Sequence, residues 1–421
     1  MLALTRYVLL PLSFNSKCIP FSEWISLLTL CLAPLIVHVV SGSPSGSSLA
    51  AKRPHWYDYV CHYNPTSILW RYAAITDRRI RALYWSNSDM AASNAIFWTE
   101  IGWDGREHMI ISAASYCIHL PEHPHAELVS STTIKTVITV AQGIAAFYPL
   151  VDSLVNVKSS GSYVGMLGVD SIFTPIAILG LLRLFAARWL TEDYIYNTRS
   201  DIPLKTLPSV PEDESGSTEH LMSPRPTSPM DVIARYRPTS YWPSRVFRTV
   251  YMLILVLFWA VSALYVVPIN PAPNSLGRFM TTTMFSTAML YVVFLTITVI
   301  LYLYYFLRGM STTTIIPCIS SPFYRIYTYC FFLYIPALIA IASIETNRNP
   351  GGGYTSVNWG NLTACTSTLY PVGIEGSNIM GLTTLVNPDL PPVHEPLFMS
   401  NTSDDSYWTF GFQGYCSGLV T

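Results

Sequence analysis

The chain has 421 residues, of which 51% are hydrophobic and only 12% charged, with a formal net charge of −1 and a mean hydropathy of +0.35. A soluble domain carries roughly 25% charged residues. A nucleic-acid binder would show a basic excess, and a disordered chain far fewer apolar residues. The 8 cysteines are too sparse for a disulfide scaffold, and the apolar residues gather into long runs, so the composition predicts an all-α multi-pass membrane protein.

A bilayer core about 30 Å thick needs roughly 20 apolar residues in a helix. The first such run, Trp24–Ser41, follows Arg6 and Lys17 and ends in the small polar stretch SGSPSGSS. Residues 1–51 therefore read as a signal anchor or, alternatively, as a signal peptide cut near Ser41 or Gly42. In the second case residues 42–133 begin in a lumen, where Cys61 and Cys117 could pair.

Residues 52–133 hold 5 of the 11 Trp and read as a small helical module docked on the membrane. From Thr66, apolar or small residues fall at Leu69, Tyr72, Ala73, Thr76, Ile80 and Leu83, a helical spacing that leaves Arg71, Arg78 and Arg81 off the stripe. Such a helix either contacts anionic lipid through residues 66–85 or packs on its neighbours. A second helix, capped by Ser88, is expected to reach Trp98. The GWDG turn at Gly102–Gly105 then separates it from a third over His108–Leu120, which Pro121 ends.

Residues 134–187 read as a two-helix membrane hairpin, Ile134–Val157 and Val164–Ala187. Asp152, Asp170 and Arg183 are the ionisable residues inside these spans, and intramembrane charges are functional candidates by default. The two aspartates flank the short 158–163 connection and reach the interface, while Arg183 lies about one turn from the opposite end and can snorkel. Residues 188–248 form a Pro- and Ser-rich linker with the composition of a disordered segment. Ser223 and Ser228 in it each precede proline and are candidates for phosphorylation.

Thr249–Val267, Thr281–Leu307 and Ile326–Ile344 complete six spans within residues 249–344, or five if 134–157 does not cross. Pro336 is expected to kink the last. Tyr302, Tyr304, Tyr305, Tyr324 and Tyr327 read as an interfacial belt. The tail, residues 345–421, shows no helical period and reads as an irregular, partly β ectodomain with a β-prone piece at Tyr407–Phe412.

Lys and Arg set orientation, because cationic segments resist translocation. In the six-span arrangement one side holds eight of them in 42–133 with Lys135, eight in 188–248 and two in 308–325, against five on the other side. This places 188–248 in the cytosol and the tail outside it, in the plasma membrane or an endomembrane. Both glycosylation sequons, Asn361-Leu-Thr363 and Asn401-Thr-Ser403, fall in the tail, as do Cys365 and Cys416, which an oxidising compartment would allow to pair.

One stretch has a catalytic appearance. His119 through His123, with Glu122 between them, fits H-x-x-E-H, a zinc-hydrolase pattern that needs both histidines on one helical face. Pro121 and Pro124 break the helix across it. No P-loop, dinucleotide fingerprint or nucleophile elbow occurs, so no cofactor and no nucleic-acid partner is expected. The sequence favours a non-enzymatic membrane protein engaged in transport, sensing or scaffolding, with a membrane-bound metal hydrolase as the alternative.

Overall fold

The computed structural model describes residues 8–9, 12–14, 16, 19–155, 167–197, 235–266, 279–348, 354–356, 369–375 and 407–413. In chain order the main elements are α1 (Phe21–Gly42), β1 (Gly46–Ser48), α2 (Trp56–Val60), α3 (Pro65–Arg81), α4 (Asn87–Asn94), β2 (Ile96–Thr99), β3 (Gly102–Asp104), α5 (Met109–Ser112) and β4 (Cys117–His119). They continue with α6 (Ser131–Val155), α7 (Thr174–Gly180), β5 (Ile195–Tyr196), α8 (Trp242–Val266), α9 (Thr282–Leu307) and α10 (Pro322–Glu345). Two strands of the tail, β6 (Leu369–Glu375) and β7 (Tyr407–Gln413), pair antiparallel from Leu369↔Gln413 to Glu375↔Tyr407, so the β-prone piece at Tyr407–Phe412 lies in a strand.

Among the described residues four helices are long and apolar enough to cross a membrane: α1, the Trp242–Ala263 part of α8, α9 and α10. Their outward faces carry Leu253, Leu257, Ile300 and Leu333, all at least 60% exposed, the kind of apolar surface that marks membrane contact. Pro34 and Pro336 sit within helices that continue through them. The 25-residue α6 packs on α1 and α7 and presents Ile134, Val137, Ile144 and Phe147 outward.

The expected continuous helix over Val164–Ala187 does not form. Pro175 starts α7 instead of interrupting a longer helix, and after seven residues the chain tightens into 3-10 turns at Leu181–Phe185 and Ala187–Trp189. Gly180 marks the change: a Cβ there would come within 2.8 Å of Thr139 Cγ2. Irregular backbone at membrane depth requires a protein surround, and Val169, Ile172, Phe173, Ile176 and Leu182 are all at most 4% exposed.

The two ends of the helix bundle are fastened differently. At one end the Glu345 carboxylate accepts from the backbone N–H groups of Thr282 and Thr283, at 3.3 and 2.7 Å, which places a negative charge on the positive end of α9. There Val169 N–H donates to Thr346 Oγ1, and Tyr354 donates to Glu23 at the start of α1. At the other end lie Gly42, the start of α6, the start of α8, the end of α9 and the small module of residues 43–130. Gly309 closes α9 at φ +68°, the left-handed conformation favoured after a helix C-terminus.

The module is a mixed one. In place of the expected helix from Ser88 to Trp98 the helix runs over Asn87–Asn94, and its cap is Ser86. Ile96-Phe97-Trp98-Thr99, β-branched and aromatic, pairs as a strand with β1 and, across the Gly102 turn (φ +104°), with β3. The third helix shrinks to Met109–Ser112; Cys117–His119 then pairs with Ile195–Tyr196. Cys61 and Cys117 are free thiols.

The centre of the structure is α3. Asn64 caps it by accepting from Thr66 N–H at 2.9 Å, with Pro65 in the first turn. Fifteen of its residues are buried, including Arg71, Arg78 and Arg81, so the helix packs on its neighbours, the second of the two arrangements expected for this stretch. Its first turn enters between α9 and α10. Thr66 Oγ1 bonds Thr298 and Tyr327, Ser67 bonds Tyr324, Asn64 Nδ2 donates to Thr328, and Tyr302 donates to Thr66 O. Tyr302, Tyr324, Tyr327 and Tyr305 are therefore at most 9% exposed and form no interfacial belt; of the five tyrosines only Tyr304 is exposed.

Asn64→Ala removes both the cap of α3 and the hydrogen bond to Thr328. Thermal denaturation of the purified chain should report a loss of about 1–2 kcal/mol, the range for a buried N-cap; an unchanged Tm would contradict the central placement of α3.

Candidate functional site

A set of charged residues gathers in and around α3, and Arg71, Asp77, Arg78, Arg81, Asp89, Arg183 and Arg248 of this set are buried. Asp77 is fully buried and accepts from Arg81 Nε at 3.1 Å and Ser244 Oγ at 2.5 Å, with Arg248 Nε 3.8 Å away. Arg81 also pairs with Glu107 and donates to Arg237 O at 3.2 Å. Asp89 completes the capping box of α4 by accepting from Ser86 N–H at 3.0 Å, and it also accepts from Tyr236 Oη at 2.5 Å. Burial and the Asp89 carboxylate, opposed by Arg78, push the Tyr236 phenol above its ordinary range, so it remains a donor.

The arginines have a second set of partners. Arg71 donates to Gly42 O and Asn94 O, each at 2.8 Å, which are the last residues of α1 and α4. Arg248 donates to Phe306 O at 3.1 Å near the end of α9. Arg78 reaches Gly105 O at 2.5 Å and Thr312 O at 2.8 Å. Helix C-termini expose carbonyls without intrahelical partners and carry partial negative charge. A planar guanidinium supplies several donors in a fixed fork, which a lysine cannot.

Arg183 belongs to the same pattern. It is 1% exposed and donates to Ser41 O, to Thr136 Oγ1 at 2.8 Å, to Tyr72 Oη at 3.2 Å and to Thr132 O at 3.3 Å. It ties the end of α1 to the start of α6 and to α3, and it does not snorkel to the interface. No carboxylate pairs with it among the described residues. Asp170 lies in a 3-10 turn at Val169–Ser171 and is half-buried, with Oδ1 unpartnered. Asp152 falls within α6, and its side chain lies outside the described residues. Among the described side chains, Asp170 and Arg183 form no ion pair with each other.

Two histidines absent from the sequence reading are buried here. His38, in α1, is 2% exposed with neither ring nitrogen bonded. His62, 5% exposed, packs edge-on against Trp103 and lines, with Arg71, a small cavity of about 10 Å³. His62 Nε2 and Arg71 Nε have no protein partner, and the cavity is near the size that holds one water. Burial, reinforced by Arg71, holds the His62 imidazole down to about 3. A histidine inside an apolar run (His38) and one beside Cys61 carry no spacing signal, which is why sequence reasoning passed over them.

The H-x-x-E-H stretch does not adopt the geometry that a zinc hydrolase needs. His119 ends β4 and bonds Asp193 at 2.9 Å, while His123 stacks on His125 in a proline-bounded turn. Glu122, His123 and Glu127 offer ligand atoms within 4.8 Å of one another, but all three are exposed and His119 is not among them. Pro121 and Pro124 prevent the helix that would align His119 with His123. Ser223, Ser228, Asn361, Cys365, Asn401 and Cys416 lie outside the described residues.

No protein-family model, curated protein or solved structure matches the chain.

Two outcomes test the cluster. Asp77→Ala leaves Arg248 buried without a carboxylate and Arg81 with Glu107 alone, and should cost about 3–5 kcal/mol in chemical denaturation, the range for breaking one partner of a buried pair. His62 binds a proton in the unfolded chain below about 6.5 but not in the folded one until about 3. Its contribution is therefore complete above pH 6.5 and lost as pH falls toward 3. At pH 5 the loss should be roughly 2 kcal/mol, and His62→Phe should flatten that part of the stability profile.

Proposed function

We propose that the chain is an integral membrane protein that crosses the bilayer six times and holds a folded module rigidly against one face, acting as a non-enzymatic scaffold. The observation that carries this reading is the set of buried arginines around α3: Arg71 joins the module to the end of α1, Arg78 joins it to Thr312 just beyond α9, and Arg183 joins Tyr72 of α3 to the end of α1 and the start of α6. A module fastened by several guanidiniums moves with the bundle, a property a scaffold uses.

The count of six is supported by the connections. The Val169 end of the irregular 167–189 segment bonds Thr346, and its Arg183 end bonds Ser41 and Thr132. It thus passes between the two ends of the bundle as a crossing wrapped in protein. With α1, α6, α8, α9 and α10 this makes six passes that alternate in direction. Segments at the Gly42 end then hold eighteen of the 24 Lys and Arg, which by the charge rule places that end in the cytosol. The tail faces the lumen or cell exterior, with Asn361 and Asn401 glycosylated and Cys365 bonded to Cys416. Ser223 and Ser228 lie in the cytosol, open to proline-directed kinases. The membrane is the plasma membrane or an endomembrane.

Endoglycosidase treatment of membranes should give a mobility shift that is lost in an Asn361→Gln, Asn401→Gln double variant. Trypsin added to cytosol-side-out vesicles should leave a C-terminal tag intact. It should spare the arginines of α3 in the wild type but cut them in Arg71→Ala, Arg183→Ala. Loss of the tag would reverse the topology; equal resistance of the double variant would remove the fastening on which the scaffold reading rests.

A further inference from the structure

A cleft of about 580 Å³ opens between the start of α8 and the end of α9. Its rim carries Arg245, Arg248 and Arg308, with the Thr249 hydroxyl nearby, and its walls include Met252 and Leu303; no lining residue is acidic. Arg248 is already held by Asp77 and by the carbonyls of Thr239, Ser244 and Phe306. Arg245 and Arg308 are exposed, and neither enters an ion pair among the described residues. The Arg308 guanidinium lies 4.6 Å over the Tyr304 ring, which orients it without neutralising it. The first turn of the 25-residue α8 adds the positive end of its dipole to the same rim.

The cleft is therefore cationic at its mouth and apolar along its walls. It sits at corresponding ends of two helices that are both long and apolar enough to cross a bilayer. A free phosphate would use the guanidiniums and gain nothing from Met252 and Leu303, whereas a zwitterionic headgroup carries no net charge for the rim to attract. We propose that this cleft binds the headgroup of an anionic phospholipid, with its phosphate between Arg245 and Arg308 and the first part of its acyl chains along Met252 and Leu303. The site is distinct from residues 66–85, where Arg71, Arg78 and Arg81 are buried in protein. It rests on the membrane placement of α8 and α9 and not on which side is cytosolic, so a reversed protease result would leave it standing.

The test uses the full chain purified in nonionic detergent and titrated with dioctanoyl phosphatidylserine, with bound lipid counted by native mass spectrometry. Saturable binding is expected, weakened about thirtyfold in Arg245→Gln, Arg308→Gln, since each basic residue near a membrane surface contributes a factor of roughly five. Arg245→Lys, Arg308→Lys should retain most of the binding because the charge survives. Dioctanoyl phosphatidylcholine should bind more weakly, and inorganic phosphate should not compete. Equal binding by the wild type and the glutamine variant would overturn the site. Phosphate that displaces the lipid at comparable concentration would reassign the cleft to free phosphate. Should the glutamine variant fail to fold, Thr249→Trp fills the cleft without changing charge; undiminished phosphatidylserine binding in that variant would also overturn the proposal.

Discussion

Helix C-termini that converge inside a protein bring unpaired carbonyls with them, and burying those carbonyls without donors is costly. In this chain arginines supply the donors. Arg71 closes α1 and α4, Arg183 closes α1 again and reaches the start of α6, and Arg248 reaches the end of α9. Each guanidinium satisfies carbonyls from elements distant in sequence, so the position of every helix end depends on α3 or on a residue packed against it. The rest of the bundle's geometry at that end follows from this fastening.

The arrangement also accounts for where carboxylates are found. Asp77, Asp89 and Glu107 gather where Arg81, Arg235 and Arg248 approach one another, because guanidiniums drawn together by shared carbonyls repel each other unless countercharges intervene. Arg71, Arg78 and Arg183 enter no ion pair among the described residues and donate to carbonyls and side-chain oxygens. Buried ion pairs contribute little net stability against apolar replacements, and what they supply here is register. Arg81 joins Asp77, Glu107 and the 235–241 segment in one arrangement.

At the opposite end the logic is reversed in sign: Glu345 caps the N-terminus of α9, and Glu23 holds Tyr354 and Arg348 near the start of α1. One end of the bundle is thus cationic and fastened to a folded module. The other is anionic at the helix starts and leads toward the tail. The charge near Arg245 and Arg308 stays unneutralised, since Asp77, Asp89 and Glu107 are paired inside the cluster.

Composition and hydropathy by themselves determined that the chain enters a membrane, and four of the six apolar runs correspond to helices long enough to cross one. Those properties are local: twenty consecutive apolar residues suffice. The β-prone piece in the tail was legible for the same reason. The irregular 167–189 segment was not, because its backbone is stabilised by neighbours and not by its own helical propensity. The reading of Ile96–Trp98 as helix failed because its strand partners at Gly46–Ser48 and Gly102–Asp104 lie outside any local window. Most informative is α3. Its apolar stripe was visible, but its arginines, off that stripe, read as a surface face. Four arginines and no lysine between 70 and 82 were the available signal. What the sequence could not indicate was that the carbonyls of Gly42, Asn94 and Thr312 would arrive at those guanidiniums. Only the tertiary structure decided that, because a charge is tolerated in the interior when donors and acceptors from several elements meet at one point, and such a meeting is not written in any single segment.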